Sequence, residues 1–310
     1  MLVRPSEPSW TGLLLIRGTG LRAMVAPLVG VVAVATALAL LHEPLGLDAV
    51  TLTPLPFQLV GVALSIFLGF RNNACYDRWW EARRLWGQLI NTTRSLARQI
   101  LTVTRAPEAE RAELRAWQAG TVREVIAFVY ALKSVLRTEV QLEVLRPFLP
   151  PDAFARVIAQ RSPPTAVCRH LGERLRDAEA RGWLDPLQRA ILEQSLVTLT
   201  DVQGACERIK NTPVPLSYTA LTHRIVGLYC LGLPFGIFST VGPLTPVVVA
   251  FVAFSFLGLD VVGTQLEDPF ETDPNDLPLS AMARTIEIDL LQLLDEPSPP
   301  PVAPVGGVLL

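Results

Sequence analysis

The segment LPFQLVGVALSIFLGFRNNACYDRWWEARRLWGQLI, residues 55–90, decides how the fold is interpreted. Its first part, Leu55–Phe70, has 16 residues and no charge, and arginines and aromatic residues follow at once. Sixteen helical residues span roughly 24 Å, which is short for a hydrocarbon core of about 30 Å. Because no proline follows Phe70 in this segment, we predict a helix that leaves the membrane and continues through Arg71–Trp86.

Three more segments have the length and composition of membrane-spanning helices. The first, Leu21–Leu41, contains a single charged residue near its start. The other two, Ile225–Val241 and Pro243–Val262, are separated by a turn centred on Gly242-Pro243, which predicts a helical hairpin. Together the segments predict four transmembrane helices of about 20 residues or slightly less. The alternative is a soluble protein with four buried core helices, and the alternation described next argues against it.

The distribution of basic residues predicts the orientation of these helices. The chain is 50% hydrophobic, with a mean hydropathy of +0.36, yet 18% of it is charged. Of its 27 Lys and Arg residues, 23 lie between Arg71 and Arg224, and none lies in the loop His42–Pro54 or in the turn after Val241. Because cytoplasmic segments accumulate Lys and Arg, we expect both termini and residues 71–224 in the cytoplasm. The net charge of −2 gives no reason to predict binding to nucleic acid.

The fold class predicted for the whole chain is all-α. The chain divides into an N-terminal cytoplasmic segment (1–20), two spans (21–70), a cytoplasmic helical domain (71–224), two more spans (225–262), an acidic linker with a helix (263–294) and a Pro-rich tail expected to be disordered (295–310). Proline pairs at 150–151 and 163–164 are expected to break the helical domain. The helices predicted outside the spans are Asp77–Val103, Pro107–Leu145, Asp152–Gln160, Ala166–Arg181, Asp185–Lys210 (with Asp185 as N-cap) and Ser280–Leu294.

Catalytic and cofactor-binding motifs are absent from the sequence. It contains no nucleophile elbow, phosphate-binding loop, dinucleotide fingerprint or His-Glu-x-x-His pattern. The three histidines are scattered, and the four cysteines match neither a zinc site nor a disulfide framework. We therefore predict no enzymatic activity, no cofactor and no metal site. The acidic stretch at residues 267–276 offers oxygen ligands that suit calcium, but a solvated, helix-capping linker is the preferred interpretation.

One face of the second span carries an apolar stripe. Val62, Ile66 and Phe70 recur every four residues and so lie on the same side of a helix. If several copies surrounded an axis, this stripe would form a hydrophobic constriction, which can gate ions by dewetting. Contact with lipid or with the protein core remains the alternative.

Polar residues lie within or just beyond the predicted spans. Asp260 is the only acidic residue in the fourth span, and we expect it to face the helix bundle or the interface because a lipid-facing carboxylate is costly. The amides of Asn72 and Asn73 suit a hydrated pore mouth, or else they cap or pair with neighbouring helices. Arg78 and Arg83 are expected either to pair with Asp77 and Glu81 or to contact lipid phosphates.

At these residues the sequence resembles the bacterial branch of the bestrophin family of ion channels. The matching stretches are FLGFRNNACYDRWWEARRLWGQLI (Phe67–Ile90), GACERIKNTPVPLSYT (Gly204–Thr219) and LEDPFETDPNDLPLSAMARTIEIDLL (Leu266–Leu291). Their order and spacing extend the resemblance over about residues 1–294, which leaves the tail outside it.

The resemblance implies a homopentamer in the lipid bilayer of the bacterial plasma (inner) membrane, with one axial pore for small monovalent ions. It assigns the pore neck to Val62, Ile66 and Phe70, and a second, cytoplasmic constriction to Leu187. The pore mouth at Asn72 and Asn73 is predicted from their amides alone. The family is usually described as chloride channels, whereas a bacterial branch conducts monovalent cations, so the ion sign stays open. Eukaryotic relatives bind calcium through consecutive acidic residues, and the corresponding run is interrupted here. The alternative function is a membrane-anchored scaffold without a pore.

Overall fold

The computed structural model describes residues 22–45, 52–139 and 142–309, so that the predicted segment 1–20 lies outside the described residues. Over the described ranges the chain forms nine α-helices and no β-strand, which confirms the all-α prediction. The helices are α1 (Arg22–Leu45), α2 (Pro54–Val103), α3 (Arg111–Leu136), α4 (Pro151–Ile158), α5 (Pro163–Ala180), α6 (Pro186–Asn211), α7 (Leu216–Val241), α8 (Thr245–Glu267) and α9 (Leu279–Leu293).

Three stretches of the described chain are long and apolar enough to cross a membrane: Arg22–His42, Pro54–Val103 and Leu216–Glu267. The last of these contains a short 3-10 turn, Gly242–Leu244, which separates α7 from α8. Gly242 has φ 59° and ψ −134°, a conformation that residues with a side chain rarely adopt. The turn predicted at Gly242-Pro243 is therefore confirmed.

The helix α2 is continuous over 50 residues, or roughly 75 Å, which confirms the predicted extension beyond Phe70. Pro54 lies in its first turn, where the missing N–H leaves no hydrogen bond unmade. The helix contributes to two hydrophobic cores. Leu64 and Leu68 pack with apolar residues of α1, α7 and α8, whereas Trp86 and Leu89 belong to a larger core shared with α3, α5, α6 and α9. The helix α2 therefore connects the apolar bundle to the charged domain.

At two of the proline pairs where a break in the helical domain was predicted, a new helix begins. Pro151 and Pro163 each occupy the first turn of a helix, α4 and α5 respectively. Their fixed φ suits the first helical position, where no N–H donor is required. The helix α5 consequently begins at Pro163 and not at Ala166 as predicted.

The predicted helix Pro107–Leu145 was too long, because α3 ends at Leu136. Thr138 adopts φ 54°, and the N–H groups of Thr138 and Glu139 donate to the carbonyls of Val135 and Ser134. This pattern is a Schellman motif, which satisfies the last carbonyls of a helix and reverses the chain. The sequence offered no warning, because glycine usually occupies the left-handed position and threonine does so here.

The start of α6 agrees with prediction. Asp185 is the N-cap, its side chain accepts from the backbone N–H of Gln188, and the side chain of Gln188 accepts from the N–H of Asp185. Such a capping box satisfies two N–H groups that the helix itself cannot. After α9, residues 295–309 contain no helix, and Val305 and Val308 form an isolated β-bridge. Disorder of this tail stays a prediction.

The acidic linker between α8 and α9 is more ordered than a solvated segment. Phe270 and Leu277 are buried in the larger core, and Asp276 is only 2% exposed. Backbone hydrogen bonds join Leu277 to Pro269 and Asp276 to Asp273, which closes the segment into turns. The preferred interpretation from sequence was therefore wrong for the part that contacts the core, because Phe270 and Leu277 anchor it there.

Candidate ion-conducting surface

The two sides of α2 differ in what they contact. Leu64, Leu68, Arg71 and Cys75 recur at helical spacing and are all at least 97% buried. The predicted neck residues lie on another side and stay exposed, at 63% for Val62, 53% for Ile66 and 66% for Phe70. Exposure of three large apolar side chains in one row is typical of a surface that faces lipid, a second subunit or a pore.

The exposed row continues in polar residues beyond Phe70. Asn73 follows Phe70 by three residues and Asp77 by seven, so both lie on the same side of the helix. Both are exposed. Asn72 lies on a different side: its Nδ2 donates to the carbonyl of Leu259 at 3.0 Å. Of the two predicted mouth residues, only Asn73 thus continues the exposed row, and Asn72 pairs with a neighbouring helix, the alternative noted from sequence.

The approach of Asn72 to α8 depends on Gly263. A Cβ atom on Gly263 would lie 2.3 Å from Oδ1 of Asn72, well inside van der Waals contact. Glycine at this position therefore lets α2 and α8 pack closely beside the neck row.

A groove of about 930 Å³ lies between the C-terminal half of α2 and the helix α6. Its walls include Trp80, Arg84 and Asn91 from α2, and Ile191, Gln194 and Thr198 from α6. Trp80 and Arg84 continue the exposed row of α2 at helical spacing.

Leu187, the predicted second constriction, adjoins this groove. It is 73% exposed and precedes Ile191 by one helical turn. The groove therefore borders the surface that carries Leu187 on one helix and the surface that carries the neck row on the other.

A buried ion pair holds α2 against α8 directly below Phe70. Arg71 and Asp260 are each 1% exposed, and Nη1 of Arg71 lies 2.6 Å from Oδ1 of Asp260. Nη2 of Arg71 donates to Oγ1 of Thr264 at 2.8 Å. His223 from α7 lies 2.5 Å from the other carboxylate oxygen, Nδ1 to Oδ2. Asp260 faces the helix bundle, one of the two placements expected from sequence.

Arg78 has a different role from the one expected. Its guanidinium donates to the carbonyls of Ile209 (2.7 Å), Thr212 (2.6 Å) and Glu267 (3.2 Å), at the C-terminal ends of α6 and α8. Helix C-termini carry partial negative charge, so a cation is favourable there. Arg78 therefore joins three helices through backbone carbonyls, and within the described ranges it forms no ion pair with a carboxylate.

The spacing of these arginines held a signal that sequence interpretation missed. Arg71, Cys75 and Arg78 lie at i, i+4 and i+7, the same spacing as the buried apolar residues that precede them. An arginine in register with a buried row needs partners inside the protein. Glu81, a nearby candidate partner for Arg78, instead contacts Arg208 at 2.5 Å.

The acidic linker also contacts α2 and α6. Nε1 of Trp79 donates to the carbonyl of Asn275 at 3.0 Å, and Nζ of Lys210 lies 3.3 Å from Oδ2 of Asp268 and closer still to Glu271. Burial raises the pKa of Asp276 to about 7. Within the described residues, no cluster of three or more His, Cys, Asp and Glu has the geometry of a metal site.

A family model described as "Bacterial/Fungal Bestrophin protein" matches residues 1–292. The chain belongs to the bestrophin family. This bestrophin is 39% identical over 302 residues to a "Voltage-dependent anion channel-forming protein" of Ralstonia nicotianae, with 96% of each chain covered. It is 41% identical over 241 residues to the protein of the same description, YneE, of Escherichia coli K12, covering 78% of this bestrophin and 77% of the relative.

The fold of this bestrophin matches a solved one. A crystal structure of a bacterial bestrophin homologue from Klebsiella pneumoniae superposes with a TM-score of 0.80 at 34% sequence identity. The match covers 88% of this chain and 99% of the other. The family, the helical fold and the channel character of the relatives point to an ion channel and away from an enzyme.

Proposed function

We propose that this bestrophin is an ion channel, a homopentamer in the bacterial plasma membrane that passes small monovalent ions along its central axis. Val62, Ile66 and Phe70 form the neck, Asn73 with Asn72 beside it forms the cytoplasmic mouth of the neck, and Leu187 forms a second constriction. The observation that carries this proposal is the exposure of the row Val62, Ile66 and Phe70 on α2 and of Leu187 on α6, the two helices that form the walls of one groove.

Four membrane spans fit the proposed pathway. The helices α1, the first part of α2, α7 and α8 cross the bilayer, and both termini and the helical domain lie in the cytoplasm. The 50-residue length of α2 supports this arrangement, since roughly 75 Å of helix exceeds the bilayer core more than twofold. The exposed row on α2 then runs from the membrane into the cytoplasm without interruption.

Several subunits are needed to enclose the pathway. One subunit contributes a single row of neck side chains, and a row encloses no pore. Cyclic assembly around an axis would convert each exposed side chain into a ring of identical groups. Rings of Val, Ile and Phe leave ions without hydrogen-bonding partners, so conduction through them depends on wetting of the neck.

The test is current through planar bilayers that contain the purified protein, recorded under asymmetric NaCl. We expect a defined reversal potential in the native protein. Phe70→Ala and Ile66→Ala should change the unitary conductance, because each enlarges an apolar ring. Phe251→Ala is a matched control, since Phe251 is 74% exposed on α8 and lies next to apolar residues of α1. Its currents should equal those of the native protein.

Silent bilayers with well-formed oligomers would contradict the channel and favour a membrane-anchored scaffold that docks a cytoplasmic partner. Currents that respond equally to Phe70→Ala and Phe251→Ala would contradict the assignment of the neck.

A further inference from the structure

A pocket of about 400 Å³ lies in the helical domain between α4 and α5. Its walls come from α4, the turn that follows it and the first half of α5. Small-molecule pockets in proteins have volumes of about 300–1,000 Å³, so this pocket is large enough for a small ligand. The proposed channel function uses none of its residues.

The charged residues of this pocket are mostly arginines. Arg156, Arg161 and Arg169 line it, and Glu173 is the one carboxylate among the described residues that do so. Glu173 is itself bound to Arg169, with 2.9 Å between Oε1 and Nε. Arg161 is exposed and forms no ion pair in the described part of the protein. In a chain of net charge −2, this local excess of positive charge favours an anion.

His170 is held in place by a buried carboxylate. Glu124 of α3 is fully buried, and its Oε2 lies 2.7 Å from Nδ1 of His170. Its other oxygen accepts from Nη1 of Arg174 at 3.1 Å. Because an ionised carboxylate only accepts hydrogen bonds, Nδ1 of His170 donates in this contact. Nε2 is therefore left for a ligand in the pocket that His170 lines, either as an acceptor from a hydroxyl or, once protonated, as a donor.

Two hydroxyl groups at the start of α5 add a hydrogen-bond donor. Oγ of Ser162 and Oγ1 of Thr165 lie 2.8 Å apart, so one hydroxyl donates to the other. Nε2 of the buried Gln203 donates to both oxygens, at 3.2 and 2.8 Å. The second hydroxyl hydrogen then has no acceptor among the described residues. Pro163 and Pro164 lack N–H groups, so side chains supply the donors of this pocket.

These groups suit a phosphate better than a metal ion or a carboxylate. No group of three or more His, Cys, Asp and Glu within the described ranges has the geometry of a metal site, and guanidinium groups repel cations. Arginine binds phosphate oxygens through paired, charge-assisted hydrogen bonds. A phosphate monoester carries about −1.5 to −2 charges at pH 7 and three acceptor oxygens. A carboxylate, with one charge and two oxygens, would satisfy fewer of the donors here.

We propose that this pocket binds the phosphate monoester group of a small molecule. Arg156, Arg161 and Arg169 bind the phosphate oxygens, whereas His170 and the free hydroxyl fix the orientation of the ligand. The rest of the volume holds the organic part of the ligand. This site is separate from the proposed ion pathway, so binding can be measured whether or not the protein conducts. A free phosphorylated metabolite and the headgroup of phosphatidic acid share this chemistry.

Isothermal titration calorimetry of the whole chain in detergent tests the site, with inorganic phosphate and glycerol 3-phosphate as the probes. We expect saturable binding of both probes. Arg161→Ala should raise Kd by about tenfold, because a charge-assisted hydrogen bond is lost. Glu173→Gln should instead lower Kd, because it removes the opposing charge and releases Arg169. A purely structural role of these residues would not move the affinity in opposite directions.

Arg176→Ala is the matched control. Arg176 lies on the same helix, is 65% exposed and contacts Asp177 outside the pocket. Its Kd should equal the native value. An absence of binding to the native protein would overturn the proposal, as would equal Kd values in the native protein, Arg161→Ala and Glu173→Gln. Equal weakening by Arg161→Ala and Arg176→Ala would also overturn it, because anions would then be attracted by the basic surface in general.

Nanodiscs distinguish the two sources of the phosphate group. In discs of phosphatidylcholine, the protein should bind glycerol 3-phosphate as it does in detergent. Addition of phosphatidic acid should leave that affinity unchanged if the ligand is a free metabolite, and should abolish binding if a lipid headgroup enters the pocket. Phosphatidylglycerol, an anionic phosphodiester, should not compete. Equal competition by both anionic lipids would contradict a site for phosphate monoesters.

Discussion

The two sides of α2 belong to one continuous helix but have opposite contacts. On one side Arg71, Asn72 and Arg78 bond to α8 and to the end of α6, through a carboxylate, a hydroxyl and several backbone carbonyls. On the other side Val62, Ile66 and Phe70 are exposed and bond to nothing. Polar groups are thus used to hold the helix in place, and apolar groups are left at the surface where ions are proposed to pass.

The contacts of the buried polar side therefore determine where the exposed side chains of α2 lie. A continuous helix rotates and shifts as a unit, so contacts at Arg71 also position Phe70, the preceding residue. Changes on the bonded side should therefore reduce stability, whereas changes on the exposed side should alter conduction.

The largest effect is expected from breaking the buried ion pair. Asp260→Asn leaves the buried Arg71 with only the more distant carboxylate of Glu267, 3.9 Å from Nη2, as a counter-charge. Removing one partner of a buried ion pair typically costs about 3–5 kcal/mol, and Glu267 should offset only part of that loss. The melting temperature of the detergent-solubilised protein should fall sharply. The control is Asp289→Asn, because Asp289 and Arg94 form a partly exposed pair, with side chains 29% and 48% exposed, whose loss should cost about 1 kcal/mol or less.

Replacing both partners should distinguish the burial of charge from the loss of a contact. Arg71→Met combined with Asp260→Leu removes the unpaired charge and should recover much of the lost stability. Equal melting temperatures for Asp260→Asn and Asp289→Asn would contradict the claim that the bonded side holds α2.

A smaller effect is expected at the contact between Asn72 and Gly263. Gly263→Ala places a methyl group 2.3 Å from Oδ1 of Asn72. Either the amide of Asn72 moves and loses its hydrogen bond to Leu259, or α2 and α8 separate, at a cost of about 1–3 kcal/mol. Gly204→Ala is the matched control: Gly204 lies within α6, and nothing lies within 4 Å of the added carbon. That change should stabilise the protein by about 0.5–1 kcal/mol. The two variants should shift the melting temperature in opposite directions, and shifts of the same sign would argue against close packing at Gly263.

The smallest effect concerns pH and the acidic linker that receives the hydrogen bond from Trp79. Asp276 has a pKa of about 7 in the folded protein and an ordinary value of 3.8, because burial disfavours its charged form. Between these pH values the folded state holds a proton that the unfolded chain has lost, so this group's contribution is full below pH 3.8 and is lost as pH rises through 7.

Thermal unfolding at pH 6 and pH 8 measures this contribution. Because Asp276 loses its proton between these pH values, its contribution to the free energy of unfolding of the native protein should be about 1 kcal/mol smaller at pH 8 than at pH 6. In Asp276→Asn this part of the pH dependence should vanish. Asp152→Asn is the control and should keep it, because Asp152 is an 81% exposed carboxylate on α4. An unchanged pH profile in Asp276→Asn would show that the carboxyl group titrates elsewhere.

Much of the fold could be predicted because its signals are local. The charge-free run before Arg71 and the absence of proline after it predicted the continuous helix α2, and Asp185-Pro186 predicted the start of α6. The apolar spacing of Val62, Ile66 and Phe70 placed them on one side of a helix, and the structure leaves that side exposed. The errors also have local causes: Thr138 adopts a left-handed conformation that glycine usually takes, and prolines expected to end helices begin them.

Local sequence patterns predict which segments are apolar, where most helices start and which residues share a helical side, because these properties depend on neighbours within a few positions. The contact partners of each side are known only from the packing of the helices. Arg71 and Asp260 are 189 positions apart in the chain, and Arg78 meets carbonyls more than 130 positions away. No local pattern encodes such partners, since they depend on how α6 and α8 pack against α2.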